Sequence, residues 1–221
     1  ALFCPPGVGK GTQAKLLVHR LGLKHISTGD LIRSAIKMNT SVGKQARSYV
    51  RAGELVPGPI VRKLAEDVMT ECGTDYFILD GYPRTIEQAD WTMQFLESHD
   101  APLEAVLSIY VPDEVVVSRL SKRRINRETG EIYHLDFNPP PKSVPKDSLV
   151  QRKDDRPEAI RQRLQVYRNQ TLPLEDFFSD KGLFHRIDGL GEIEVVYGRL
   201  MSVVADNVAS FGKSRQLQDQ S

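Results

Sequence analysis

The chain opens on ALFCPPGVGKGTQAKLL, residues 1–17. A short apolar run passes through a Pro-Gly turn to Lys10 and then into a stretch with helical spacing of apolar residues. Gly7-Val8-Gly9-Lys10-Gly11-Thr12 therefore sits between a strand and a helix, the setting a phosphate-binding loop requires. Glycines leave backbone N–H groups free to converge on an anion, and a helix N-terminus adds partial positive charge. On this reading Gly7, Val8, Gly9 and Gly11 line a phosphate cradle. Lys10 reaches the β- and γ-phosphates, and the Thr12 hydroxyl lies near a metal. The alternative, a plain Gly-rich turn, leaves the placement of both Lys10 and Thr12 to coincidence. The strict pattern G-x-x-x-x-G-K-[ST] is not met: Cys4 replaces its first Gly, and Gly11 separates Lys10 from Thr12.

Outward from this loop, short apolar runs at 1–4, 24–26, 76–79, 105–111 and 183–187 alternate with stretches of helical period. The helical stretches are 10–21, 29–38, 42–52, 60–70, 85–98, 113–123, 157–178 and 192–207. This alternation predicts an α/β fold with a parallel sheet covered on both faces. Residues 125–150 break the pattern. They are rich in Pro, Asn, Thr and Asp, and 131–137 alternate around Thr129-Gly130, which predicts a small antiparallel hairpin in an insertion. The polar end, 208–221, reads as a frayed tail.

Composition narrows the class. The chain has 221 residues, enough for one core, and 30 basic against 29 acidic residues give a formal net charge of +1. Nothing global points to nucleic acid or a membrane surface, and no apolar run approaches a membrane span. Cys4 and Cys72 have no metal-ligand spacing and fit a reducing intracellular compartment, cytoplasm or organelle matrix. The chain starts without Met at the edge of a strand, as a trimmed terminus would.

The run 76–80 ends in Asp80, a carboxylate placed to hold Mg²⁺ or its waters beside a phosphate loop. Arg33, Arg84, Arg119, Arg123, Arg152 and Arg163 fall at strand ends, helix starts and the flanks of the insertion. Guanidinium forks match phosphoryl oxygens and the charge that develops on them. Arg124, Arg127, Arg156 and Arg161 read as solvated. An alcohol acceptor would need a carboxylate to take its proton, whereas a phosphate acceptor is already anionic and needs only neutralisation and alignment. His25, His134 and Trp91 read as structural.

PPGVGKGTQA, ISTGDLIR, GELV, LDGYPRTIEQA, SRLSKRR, GEIYHLDFNPP, QRKDDRPEAIRQRL and RIDG occur in this order. With them the chain resembles the adenylate kinase family over almost its whole length. The resemblance implies a P-loop NTPase-type, five-stranded parallel sheet flanked by helices, with a helical monophosphate-binding segment at 27–56 and a small β lid at 122–155. The implied reaction is ATP + AMP = 2 ADP, dependent on Mg²⁺ and on lid closure, in a monomer whose partners are small nucleotides.

Residue by residue, the resemblance assigns AMP contacts to Thr28, Arg33, Glu54, Leu55, Val56, Gly81, Tyr82, Pro83, Arg84 and Gln88, with Arg152 and Arg163 beside them. Donor contacts fall to Lys10, Arg119, Arg123, Ile132, Tyr133 and Gly191. The catalytic set is Lys10, Arg84, Arg119, Arg123, Arg152 and Arg163. Asp80 holds hydrated Mg²⁺, with Thr12 as a lesser metal contact, and Asp154 and Asp155 are lid-hinge acids that pair with the arginines on closure. Departures from the family are Cys4, the proline-rich VPGPIV at 56–61, and Lys122 at a usual hinge Gly. The lid lacks four zinc ligands, which implies a zinc-free lid held by hydrogen bonds through Asn126, Thr129 and Asp147. A GTP:AMP phosphotransferase, a P-loop kinase acting on a hydroxyl, and a nucleotide-binding module with little turnover are the alternatives.

Overall fold

The structure is a computed structural model that describes residues 1–73 and 76–207; the expected tail at 208–221 lies outside them. The first half runs α1 Lys10–Leu21, β1 Lys24–Ser27, α2 Thr28–Lys37, α3 Ser41–Ala52, α4 Gly58–Cys72, β2 Phe77–Asp80, α5 Ile86–Glu97, β3 Val106–Tyr110 and α6 Asp113–Ser121. The insertion follows as β4 Arg123–Asn126, β5 Ile132–His134 and β6 Leu149–Val150. The chain then returns through α7 Pro157–Val166, α8 Leu174–Ser179, β7 Phe184–Asp188 and α9 Ile193–Asn207.

A small parallel sheet lies at the centre of this mixed α/β fold. β1 pairs with β2, and β3 with β7. Residues 1–4, expected as a strand, enter only as isolated bridges from Leu2 to Asp80 and to Leu107. The Leu2 N–H donates to the Leu79 carbonyl at 2.8 Å, and the Leu107 N–H donates to the Ala1 carbonyl at 2.9 Å. Pro5 and Pro6 follow at once and carry no N–H, so the ladder cannot extend.

β2 and β3 are buried on both faces along most of their length. Leu107 and Ile109 of β3 pack with Leu17 of α1, Leu120 of α6, Ile160 of α7 and Leu200 of α9. Val106, one residue out of phase, packs instead with Phe3 and with Phe178 of α8. Ile26 and Leu79 of β1 and β2 join Val61, Ala65 and Met69 of α4 and Leu96 of α5. Each such Val, Leu, Ile, Met or Phe side chain contributes about 1.5–3 kcal/mol on burial. Among the described residues no helix is long and apolar enough to cross a membrane.

Three of the expected helices need correction. The single helix expected over 157–178 is α7, a π-helical turn Tyr167–Thr171, and α8. Pro173 cannot donate into an α-helical ladder, and the Leu172 N–H reaches back to the Tyr167 carbonyl at 2.8 Å. The helix expected to reach 123 stops at Ser121 with Lys122 as C-cap, so Arg123 opens a strand. The helix expected from 60 starts at Gly58 behind Pro57, without a side-chain cap.

The insertion is a three-stranded antiparallel sheet with β4 in the middle, one strand more than the expected hairpin. Asn126 Oδ1 accepts from the N–H groups of Glu128 (2.9 Å) and Thr129 (3.3 Å), and Thr129 Oγ1 accepts from the Glu131 N–H at 3.2 Å. Asp147 takes part through its backbone carbonyl, which accepts from Arg127. Among the described residues no group of three or more His, Cys, Asp or Glu is placed to hold a metal.

Candidate active site

Gly9 caps α1 with φ 99°, a left-handed conformation that a side chain would strain. The amides of Thr12 and Gln13 both return to the Gly9 carbonyl, at 3.0 and 3.1 Å. Those of Lys10 and Gly11 then have no intrahelical acceptor, and no acidic residue occupies the first turn. Arg119 donates to the Val8 carbonyl at 2.9 Å and to the Gly189 carbonyl at 3.2 Å, tying the loop to the exposed turn at Gly191. Cys4 does not disturb the loop. Its Sγ accepts from the Ile109 N–H at 3.4 Å, and burial pushes the thiol up to about 12 against the opposing pull of Lys10.

Asp80 ends β2 beside Ser27 of β1, and its side chain is 4% exposed. One carboxylate oxygen pairs with Lys10, and the other lies 3.0 Å from His25 Nε2. Burial disfavours the charged form of Lys10; the contact with Asp80 opposes this, and we take the two as an ion pair. Burial also lowers the pKa of His25, and because a carboxylate oxygen can only accept, it is an Nε2–H that donates to Asp80. His25 was read from sequence as structural. Only the register of β1 against β2 brings it to Asp80.

Lys10 and Arg84 meet over Gly81. A Cβ built on Gly81, whose φ is 72°, would lie 3.0 Å from Arg84 Nη2 and 3.3 Å from Lys10 Nζ. Arg84 Nε donates to the Gly81 carbonyl at 2.7 Å, and Thr28 Oγ1 donates to the same oxygen at 3.3 Å. Tyr82 and Pro83 are buried in the loop between Gly81 and Arg84. Gln88 accepts from the Arg84 N–H at 2.9 Å, which makes its NH₂ end the remaining donor of that amide. Arg33 pairs with Asp30 at 2.6 Å and folds over Gly29. In the loop after α3, Glu54 is exposed, Leu55 half-buried and Val56 buried. A Cβ at the neighbouring Gly53 would meet the Ala159 carbonyl at 2.9 Å and Arg163 Cγ at 3.0 Å, so this loop docks on α7.

The arginines crowd one another. Burial pushes Arg84 down to about 10, and Arg163 and Arg33 add to the shift. Burial pushes Arg152 down to about 9, with Arg123 and Arg33 adding again. Arg152 Nε is buried and has no partner among the described residues. Arg163 pairs with Asp154 at 3.1 Å, and Arg123 donates twice to Asp155. Among the described residues, Lys10, Arg33, Arg84, Arg123, Arg152 and Arg163 gather around the carboxylates of Asp30, Asp80, Asp154 and Asp155, six cations to four anions. Such a cation excess is relieved by an anion.

Not every expected residue joins this cluster. Arg119 is held on its two carbonyls, on the Gly191 side of the loop. Ile132 and Tyr133 lie in β5, where the Tyr133 hydroxyl donates to Glu131 at 2.5 Å. Sequence reasoning missed His25 and also Thr171, which donates to the Arg84 carbonyl at 2.9 Å.

A glycine loop opening a helix, a lysine on a strand-end carboxylate and a set of neighbouring arginines thus stand together in a mixed α/β fold. Residues 2–183 match the model of the family described as adenylate kinase. The chain is 53% identical over 199 residues to an adenylate kinase of Salinibacter ruber, covering 90% of this chain and 94% of that protein. It is 43% identical over 201 residues to one of Chloroherpeton thalassium (88% and 92% covered). It is 42% identical over 209 residues to one of Methanosarcina acetivorans (92% and 97% covered). The chain belongs to the adenylate kinase family.

Proposed function

We propose that this chain is an ATP:AMP phosphotransferase that interconverts ATP plus AMP with two ADP. The observation that carries the reading is the meeting of Lys10 and Arg84 over Gly81, between the glycine loop and the arginine cluster. The donor's terminal phosphoryl lies by Lys10 and the open amides of α1. The AMP phosphate lies by Arg33, Arg84, Arg152 and Arg163, with Thr28, the 54–56 backbone and Gln88 around the base. Arg119, Arg123, Ile132, Tyr133 and Gly191 serve the donor.

The carboxylates argue for a phosphate acceptor. Asp30, Asp80, Asp154 and Asp155 are all paired with cations, which leaves none of these four as a base for a hydroxyl. An AMP phosphate needs no base; neutralisation and in-line alignment suffice. The Asp80 carboxylate suits a hard, hydrated cation, and the Nε2–H of His25 helps to keep it ionised. Asp80, through water, and Thr12 would hold Mg²⁺, which when bound neutralises charge on the donor's phosphate oxygens. We read the central sheet as five-stranded, with residues 1–4 as its middle member. Residues 122–155 act as a zinc-free lid that excludes water, and the protein works as a monomer.

ADP formation from AMP with ATP, GTP or ITP and Mg²⁺, beside sugars and other alcohols as acceptors, tests this. ADP from ATP and AMP is expected. Nucleotide binding without ADP formation, or transfer to an alcohol in place of AMP, would overturn the reading. Faster turnover with GTP would reassign the donor.

A further inference from the structure

We propose that Thr171 is a positioning residue for Arg84, and that the π-helical turn Tyr167–Thr171 exists to present it. The inference rests on the role given to Arg84 above. Thr171 is 3% exposed and lies 87 residues from Arg84 in sequence, yet its Oγ1 donates to the Arg84 carbonyl at 2.9 Å. The Arg84 N–H is already held by Gln88 Oε1 at 2.9 Å and its Nε by the Gly81 carbonyl at 2.7 Å. Thr171 supplies the third fixed point, on the carbonyl side. With it, both backbone polar groups of Arg84 are anchored by side chains from different elements, so the guanidinium starts from an immobile backbone beside Lys10.

Pro173 interrupts the regular helix, and hydrogen bonds fix the turn that results. Single π-helical turns inside helices recur at functional positions, because the extra residue shifts everything after it around the helix axis. Here Leu172 donates back to Tyr167, and the Tyr167 hydroxyl donates to Glu175 at 3.4 Å. Glu175 in turn accepts from Arg186 of β7, so the brace reaches the sheet. The turn borders a cavity of about 230 Å³ lined by Tyr167, Arg168 and Leu172, among others. Displacement of a positioned charge by an ångström is enough to slow a transfer reaction, and Thr171 is where this fold prevents it.

The test compares Thr171→Val, which keeps the shape and removes the hydroxyl, with Thr171→Ser, which keeps the hydroxyl. In Thr171→Val we expect kcat to fall about tenfold and the KM for AMP to rise while that for ATP holds; Thr171→Ser should recover kcat to within about twofold. A second readout needs no turnover: exchange of the Arg84 Nε–H followed by NMR, its resonance assigned by loss in Arg84→Lys. Exchange should quicken about tenfold in Thr171→Val and stay near wild type in Thr171→Ser. Equal losses in Val and Ser, equal rises in KM for both nucleotides, or unchanged Arg84 exchange in the Val variant would overturn the proposal. If the wild type made no ADP, the functional reading would fail, and the exchange measurement would still decide the role of Thr171.

Discussion

Asp155 is fully buried and holds Arg123 at two points, Oδ2 to Nε at 2.7 Å and Oδ1 to Nη2 at 2.5 Å. Arg123 opens the first strand of the insertion, and Asp155 closes the 3₁₀ turn Lys153–Asp155 after the last. One ion pair therefore ties both ends of the insertion together. Asp155→Ala would strand Arg123 and weaken the hold on Arg163, so a loss of about 3 kcal/mol is expected. Urea unfolding of the variant checks it. Arg123→Ala should lower both stability and rate, since it removes the bidentate partner of a buried carboxylate.

Arg84 behaves differently. The recorded partner of its guanidinium is a carbonyl, and burial among other cations disfavours its charge. Arg84→Ala should lower kcat by about 10²–10³-fold while leaving the melting temperature nearly unchanged. Inorganic phosphate should raise the melting temperature of the wild type and do so less in the variant, because an anion that binds only the folded state stabilises it. A large fall in melting temperature without added anion would contradict this account of Arg84.

Asp154 gives the protein an acid-sensitive element. Burial pushes its carboxyl up, but Arg163 first, then Arg123 and Arg152, outweigh that and hold it below its ordinary 3.8. A depressed folded value means that its contribution is complete above pH 3.8 and is lost as pH falls through the folded value. Asp154→Asn should therefore be less stable than wild type at neutral pH, with the gap narrowing below about pH 4. Denaturant midpoints for both proteins across that range read the effect.

Cys4 should be chemically quiet. A thiol pushed up to about 12 carries almost no thiolate at pH 8. In a Cys72→Ser background, disulfide exchange with an aromatic reagent should be slow in the native protein and rapid in denaturant. Cys4→Gly should leave ADP formation within about twofold, since the loop does not use the thiol for binding. Fast native labelling would show that the Cys4 side chain is not held as described.

Local signals were legible in the sequence where they are carried by neighbouring residues. The helices α1, α3 and α9 lie within a residue or so of their expected bounds, and Gly9 and Gly53 stop or start helices as their backbone freedom suggests. The candidate arginines were recognisable as a set, because guanidiniums beside a phosphate loop have a chemical reason to be there. The break between α7 and α8 was readable only in hindsight, from Pro173 interrupting an otherwise helical period. Arg119 illustrates the limit: as a sequence position it belongs with the other arginines, but in the fold its guanidinium is occupied by the carbonyls of Val8 and Gly189.

The amino-acid order alone determined the alternation of strands and helices, the bare amide loop around Lys10, and the supply of cations and carboxylates, since spacing and residue type act over a few neighbours. Only the tertiary structure decided which charge meets which. Asp80 reaches His25 through strand register, Arg123 reaches Asp155 across the whole insertion, and Thr171 reaches Arg84 through a turn that a proline forces out of regular helix. Those pairings depend on how buried surfaces stack, and distant side chains find each other only after the core has brought their backbones into place.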